Sequence, residues 1–85
     1  MSEVLIGKIS DYFTKINVAA FTVIDDELHI GDTIHFVGHT TDFSQKLTSM
    51  QSEHETIEVA KVGIGVGIKV NERVREGDKV YKLIN

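Results

Sequence analysis

The chain has no cysteine, proline or tryptophan, and it contains no long apolar run. Without cysteine it can form neither a disulfide framework nor a cysteine-ligated metal site, which is typical of a small intracellular domain. Its amino terminus carries an acid, Glu3, where a secretory signal would be basic, and no stretch approaches the ~18 apolar residues of a membrane span. We therefore expect a soluble, unprocessed, cytoplasmic chain that makes no membrane contact.

Basic residues are also scarce. Nine basic residues against 13 acidic ones give a net charge of −4, which argues against a protein that holds nucleic acid by a strong positive field. The charge is uneven, because residues 1–60 carry −7 and residues 61–85 carry +3. A polyanion site, if there is one, is expected near the carboxyl-terminal strands.

The sequence does contain a repeated corner. Leu28–Gly38 and Val74–Tyr81 each place a Gly-Asp pair before an apolar-rich run, and Gly77 follows Gly31 by 46 positions. Glycine permits φ > 0 and aspartate bonds nearby backbone N–H groups, so each pair predicts a sharp turn into a strand. Two such corners in a chain this short suggest a closed or nearly closed sheet.

Alternating and β-branched residues predict an all-β chain that forms one domain over residues 1–85. The first two strands are expected to form a hairpin joined by residues 11–15. The fourth strand requires a bulge between Leu47 and Met50, because residues three positions apart in a regular strand point to opposite faces. Residues 53–60 are predicted only as a connection. The six predicted strands are Val4–Ser10, Ile16–Ile24, Thr33–Val37, Asp42 to about Gln51, Val62–Val70 and Lys79–Ile84. Alternation in the fifth strand predicts one apolar face, formed by Val62, Ile64, Val66, Ile68 and Val70, and one bare face that carries the glycines.

Three groups of residues invite a functional interpretation that their spacing does not support. The glycines at 63, 65 and 67 lack both the spacing and the following helix of a phosphate loop, so they predict either a coiled strand or a bare groove for a partner's backbone. Histidines 29, 35, 39 and 54 match no common metal site. Residues 39–44 contain the side-chain types of a nucleophilic triad but no supporting elbow, so turn capping explains them better. We predict no enzyme activity, no cofactor and no metal.

An aromatic pair, Tyr12 and Phe13, lies at the end of the predicted hairpin with Lys15 beside it. Such a pair can form a small stacking platform for unpaired bases, or it can plug the mouth of a barrel. The sequence leaves both interpretations open.

Three sequence motifs are Gly7–Phe13, Gly38–Phe43 and Val74–Tyr81. The order of strands and corners as a whole resembles the second, β-barrel domain of translational GTPases. With these three motifs the chain more closely resembles small stand-alone translation elongation factor-like proteins, which are related to the carboxyl-terminal barrel of U32-type peptidases. This resemblance implies a six-stranded β-barrel of the elongation-factor second-domain type. No GTPase domain is present, so nucleotide hydrolysis is not implied, and residues 62–65 depart from the family's usual turn.

We therefore expect a non-enzymatic binding module, with two hypotheses for its partner. The first is RNA or a ribonucleoprotein, which the resemblance and the basic carboxyl-terminal segment favour. The second is a protein partner, namely a U32-like peptidase or an RNA-modifying enzyme, which the acidic net charge and the glycine face favour. The residues predicted to contact RNA are Lys69, Arg73, Arg75, Lys79 and Lys82.

Overall fold

A computed structural model describes residues 2–84 and confirms that this part of the chain is all-β, with eleven short strands and no helix. It therefore contains no helix that is long and apolar enough to cross a membrane. The strands are β1 Ser2–Lys8, β2 Asp11–Phe13, β3 Val18–Thr22, β4 Leu28–His29, β5 Thr33–Val37, β6 Asp42–Lys46, β7 Gln51–Ser52, β8 Glu55–Thr56, β9 Val59–Ala60, β10 Gly65–Lys69 and β11 Lys79–Ile84.

The strands pair antiparallel in three sheets. One has the order β1-β11-β5-β6, the second β2-β3-β10-β7-β8, and the third contains β4 and β9. The sequence predicted six strands in one closed or nearly closed barrel, whereas residues 2–84 form these three sheets and no closed barrel. The fourth predicted strand divides instead of bulging, because Leu47 and Met50 are both buried and strand alternation cannot place both inward. The chain leaves the first sheet after β6 and enters the second at β7.

The predicted first hairpin is also wrong. β1 pairs with β11, whereas residues 11–13, expected to be a connection, form β2 and pair with β3. The chain bends before β2 because the backbone N–H of Ile9 donates to the carbonyl of Asp78 at 2.8 Å. The hairpin turn lies later, and it ends at Asn17, which has φ of 54°.

The later strands agree better with the sequence. β5 has the predicted bounds, and β11 also matches. The predicted strand from residue 62 begins only at Gly65, because Gly63 has φ of 96° and forms a turn. As a result Val62 and Ile64 are exposed, although Val66 and Ile68 face the core as expected.

The two Gly-Asp corners have the same geometry. Gly31 has φ of 98° and Gly77 has φ of 92°, which confirms the prediction of positive φ at both. In each corner the aspartate carboxylate, of Asp32 or Asp78, accepts a hydrogen bond of 2.8 Å from the backbone N–H three residues earlier. The repeated sequence therefore encodes a repeated local structure.

Backbone hydrogen bonds also join each corner to a buried residue that is distant in the sequence. The N–H of Gly31 donates to the carbonyl of Leu47, and the N–H of Gly77 donates to the carbonyl of Ile9, both at 2.8 Å. Leu47 and Ile9 each return a bond of 2.8 Å to the aspartate carbonyl of the same corner. The corners thus join segments that lie far apart in the sequence.

Replacing either corner glycine by valine is expected to lower the free energy of unfolding by more than ~1 kcal/mol, because a β-branched residue is strained at positive φ. The space around both glycines is open, so the loss would come from the backbone and not from a clash. Urea unfolding of Gly31→Val and Gly77→Val measures it. Unchanged stability in both variants would contradict this account of the corners.

The 46-residue repeat extends to the strand pairing. His35 pairs with Tyr81, and these two residues are themselves 46 positions apart. In the second sheet Ala20 pairs with Gly67, and Phe21 pairs with Val66. Val66 follows Ala20 by 46 positions and Gly67 follows Phe21 by 46 positions, so each pair corresponds to the other under the repeat. The two halves are therefore related by an approximate two-fold axis that passes between β5 and β11 and between β3 and β10.

The two large sheets are connected at two edges by different bonds. At one edge the N–H of Ile24 donates to the carbonyl of Ile6 at 2.8 Å, beyond the end of β3. At the other edge the side chain of Gln45 joins β6 to β10, because its Nε2 donates to the Lys69 carbonyl at 2.9 Å and its Oε1 accepts from the Asn71 N–H at 2.7 Å. The space between the sheets holds one apolar core: Ile6, Ile9, Ala19, Phe21, Val23, Leu28, Ile34, Phe36, Leu47, Met50, Ala60, Val66, Ile68, Val70, Val74 and Val80.

Candidate functional site

The structure does not bring all five predicted RNA-contacting residues together. Lys69 ends β10, Arg73 and Arg75 lie in the loop before β11, and Lys79 begins that strand. Lys82 lies further along β11, where its Nζ donates to the Glu27 carbonyl at 2.7 Å. No observation tests whether these residues bind RNA, so that assignment remains a prediction.

Lys82 contacts the acidic turn at residues 25–27. Its Nζ lies 3.1 Å from a carboxylate oxygen of Asp26 and 3.9 Å from one of Asp32, and its side chain is only 13% exposed. The hydrogen bond from Lys82 lowers the pKa of Asp26 below its usual value, assisted by a backbone N–H. Lys82 therefore neutralises its own protein's carboxylates and presents little free charge to a ligand.

Arg73 and Arg75 lie beside the hairpin that joins β5 and β6. Arg73 lines a polar cavity of about 420 Å³ together with residues 38–43 and Glu72. The Nε of Arg75 donates to the hydroxyl of Thr40 at 2.9 Å. Neither arginine forms an ion pair within the described part of the chain. Both are exposed, so they are more available to an anionic partner than Lys82 is.

Residues 39–44 do not form a nucleophilic triad. The Asp42 carboxylate bonds to His35 and not to His39. The turn is closed by backbone bonds between Gly38 and Thr41, and the hydroxyl of Thr40 accepts from Arg75. The structure therefore shows backbone bonds where the sequence suggested side-chain capping.

His35 contacts two carboxylates at once, and the sequence analysis did not single it out from the other histidines. Its Nδ1 lies 2.6 Å from a carboxylate oxygen of Glu3, and its Nε2 lies 2.6 Å from one of Asp42. Ionised carboxylates only accept hydrogen bonds, so the protonated ring, with hydrogen on both nitrogens, is the form that satisfies both contacts. The bond to Asp42, followed by the contact with Glu3, raises the pKa of His35 against an opposing effect of burial. The ring joins β1, β5 and β6.

We expect His35 to make stability depend on pH. Because the folded-state pKa is raised, its contribution is fully present below the unfolded value of about 6.5 and is lost as the pH rises through the folded value. Stability measured from pH 6 to pH 9 should therefore fall less steeply in His35→Gln than in the unaltered protein. His39→Gln, which changes an exposed histidine, is the control. Equal slopes in all three proteins would show that His35 does not titrate in this way.

An apolar depression lies at the surface beside the β7–β8 hairpin. Ile57, Val59 and Ile64 line a cavity of about 350 Å³ with Ser52, Glu55 and Lys61. Val59 is 42% exposed, Ile64 41% and the neighbouring Val62 56%, which is unusual for large apolar side chains. The sequence analysis missed this surface because strand alternation predicted that Val62 and Ile64 face the core.

A second, more polar groove crosses the glycine strand. Gly65 and Gly67 of β10 line a cavity of about 280 Å³, together with Ser10, Ala20 and residues 51–54. A side chain at Gly65 would meet no atom within 4 Å, so part of the strand face is bare, as the glycine pattern suggested. The hydroxyl of Ser52 donates to the Gly65 carbonyl at 2.8 Å. The β7–β8 hairpin therefore stands between this groove and the apolar depression.

The aromatic pair at the β2–β3 hairpin is divided. Tyr12 is half-buried against the core, and its hydroxyl bonds to the Asn17 side chain at 3.2 Å. Phe13 is 45% exposed and lies in a shallow surface cavity with Ile16. Tyr12 thus packs against the core while Phe13 is exposed, and both rings line the same shallow cavity.

Comparison with known proteins places this chain beside one part of larger proteases. It is 43% identical over 82 residues to an uncharacterized protease of Methanocaldococcus jannaschii, and 40% identical over 82 residues to a collagenase of Porphyromonas gingivalis. Each alignment covers 95% of this chain but only 20% of the relative. The chain thus spans about a fifth of the length of these curated relatives. No family model matches it.

Solved structures give the same result for the fold. The chain is similar to the C-terminal domain of a putative U32 peptidase of Geobacillus thermoleovorans, with a TM-score of 0.86 at 18% identity, covering 94% of this chain and 92% of that one. The selenomethionine variant of that domain gives a TM-score of 0.84. These comparisons support the peptidase part of the resemblance and give no support to the translation-factor part. The fold is that of a U32 peptidase C-terminal domain.

Proposed function

We propose that this chain is a non-enzymatic module that binds a peptidase-type catalytic domain. The observation that carries the proposal is the alignment: 82 residues are 43% identical to a protease of which they cover only 20%. The remaining four fifths of that relative are the natural candidate for the surface that such a module contacts. The C-terminal domain of the Geobacillus protein, which has this fold, has been crystallised as a separate unit.

The absence of an assembled catalytic group within residues 2–84 supports a binding role. Asp42 is bonded to His35, which leaves His39 without the acidic partner that a general base needs. His35 is held between two carboxylates, which occupy both of its ring nitrogens. Any peptide-bond cleavage would therefore belong to the partner.

Binding in trans tests the proposal. The M. jannaschii protease from which the 82 aligned residues have been removed is titrated with this chain by isothermal calorimetry, after circular dichroism has shown that the truncated protease is folded. The excised M. jannaschii segment serves as the positive control. We expect saturable binding with one chain per truncated protease. Binding of the excised segment but not of this chain would contradict the proposal.

RNA is the second candidate partner, favoured by one observation. Arg73 and Arg75 carry charge that no carboxylate within residues 2–84 neutralises, beside a cavity lined by hydroxyl groups. Guanidinium groups suit phosphate oxygens because their N–H donors match them in pairs. Lys69 and Lys79 would extend this surface, whereas Lys82 is occupied by its carboxylate partners.

The RNA candidate predicts weak binding that depends steeply on salt. Contacts to about three to five phosphates would give a log–log slope near −2 to −4 for a single strand. Titration of a labelled single-stranded RNA at low salt should give lower affinity for Arg73→Glu plus Arg75→Glu than for the unaltered protein. Equal affinities, or no binding to either protein, would eliminate this candidate.

A further inference from the structure

We infer that the proposed module binds its partner through the β7–β8 hairpin and the apolar depression beside it, and that the contacting partner segment carries an apolar side chain flanked by lysine or arginine. This inference rests on the proposed function. We call this region the hairpin surface. It consists of the apolar residues Ile57, Val59, Val62 and Ile64 and the acidic residues Glu53, Glu55 and Glu58.

The first reason is the concentration of exposed apolar side chains. Seven large apolar side chains within residues 2–84 are markedly exposed, and three of them, Val59, Val62 and Ile64, lie within six consecutive residues. Val59 and Ile64 line the same depression, in which Ile57 is half-buried. Water is removed favourably from such a depression when a partner side chain fills it, so an apolar side chain is the occupant that it fits.

The second reason is charge. Residues 53–61 contain three acids and one base, Lys61, and none of the acids forms an ion pair within the described residues. The acids are exposed: Glu55 lines the depression, as Lys61 does, and Glu53 lines the neighbouring groove on the glycine strand. Charges of this sign beside an apolar centre favour a partner with basic residues at the rim and disfavour an acidic one. This distribution distinguishes the hairpin surface from the basic loop at residues 73–79.

The third reason is the conformation of the hairpin turn. Glu53 has φ of 50° and His54 has φ of 67°, a pair of positive values for which hairpins usually contain Asn-Gly. Both residues line the groove on the glycine strand. Non-glycine residues in this conformation are strained, and such strain concentrates where side chains serve binding. Glu53 and His54 therefore occupy turn positions at which glycine would be less strained.

The inference is tested in the same titration with the truncated M. jannaschii protease. Val59→Lys plus Ile64→Lys removes the apolar centre of the hairpin surface. Glu53→Lys plus Glu55→Lys, the rim variant, reverses the charge of two of its acidic residues. Ile16→Lys is the matched control, because Ile16 is 58% exposed and lies at the other hairpin. All changes are at exposed positions, and unchanged melting temperatures would verify the fold.

Both double variants should bind at least tenfold more weakly than the unaltered chain, and Ile16→Lys should bind equally well. Added salt should weaken binding of the unaltered chain more than binding of the rim variant, because that variant has lost the attraction. If the unaltered chain binds and both double variants bind with the same affinity, the hairpin surface is not the contact and the proposed function still stands. If the unaltered chain does not bind, the proposed function and this inference both fail.

Discussion

Gly38→Ala is expected to lower the free energy of unfolding by about 2 to 4 kcal/mol, because the new methyl group overlaps a buried carboxylate. A Cβ at this position would lie against Oδ1 of Asp78, inside van der Waals contact. Asp78 is only 6% exposed, and its Oδ2 accepts the Arg75 N–H that closes the second corner. The carboxylate can move aside only by breaking that bond.

Gly65→Ala is the matched control for this change. Gly65 begins β10 and, like Gly38, does not have a positive φ, but a Cβ there would meet no atom within 4 Å. Its stability should change by less than about 0.5 kcal/mol. Urea unfolding of both variants measures the difference. Equal stabilities of the two variants would mean that a Cβ at residue 38 does not displace the Asp78 carboxylate.

Gln45→Met is expected to cost about 2 to 4 kcal/mol, although methionine has nearly the same volume. The Gln45 amide is almost fully buried and supplies both a donor and an acceptor to the backbone at the end of β10. Methionine would leave the Lys69 carbonyl and the Asn71 N–H without these partners at the edge where the two large sheets meet. Each of these two part-buried hydrogen bonds contributes roughly 1 to 2 kcal/mol.

Gln51→Met provides the comparison for Gln45→Met, since Gln51 is an exposed glutamine in the short strand β7. Its substitution should leave the unfolding midpoint nearly unchanged. Hydrogen exchange adds a local measurement, because the Asn71 amide should exchange faster in Gln45→Met than in Gln51→Met. A protected Asn71 amide in both variants would contradict the assigned role of Gln45.

The sequence predicted those features of the fold that depend on local chemistry. The Gly-Asp corners, the bounds of β5 and the inward direction of Val66 and Ile68 all follow from residue type and alternation. The pairing of β1 could not be predicted in this way, because it depends on the bond between Ile9 and Asp78, which are 69 positions apart. Long-range bonds of this kind leave no local pattern.

The candidate site was harder to predict than the fold. Basic residues in the carboxyl-terminal segment suggested one surface, but the turn of acidic residues at 25–27 folds over Lys82 and removes it from that surface. The apolar depression was hidden because Gly63 shifts the start of β10, which turns Val62 and Ile64 outward. His35 could not be recognised because Glu3 lies 32 positions away in the sequence.

Displacement tests the central claim most directly. The labelled 82-residue segment of the M. jannaschii protease is bound to the remainder of that protease, and this chain is added in excess while fluorescence anisotropy follows the label. The account predicts that the chain displaces the segment completely and competitively, because the two share 43% identity over those residues. Anisotropy that stays at the bound value at saturating concentrations of the chain would contradict the account.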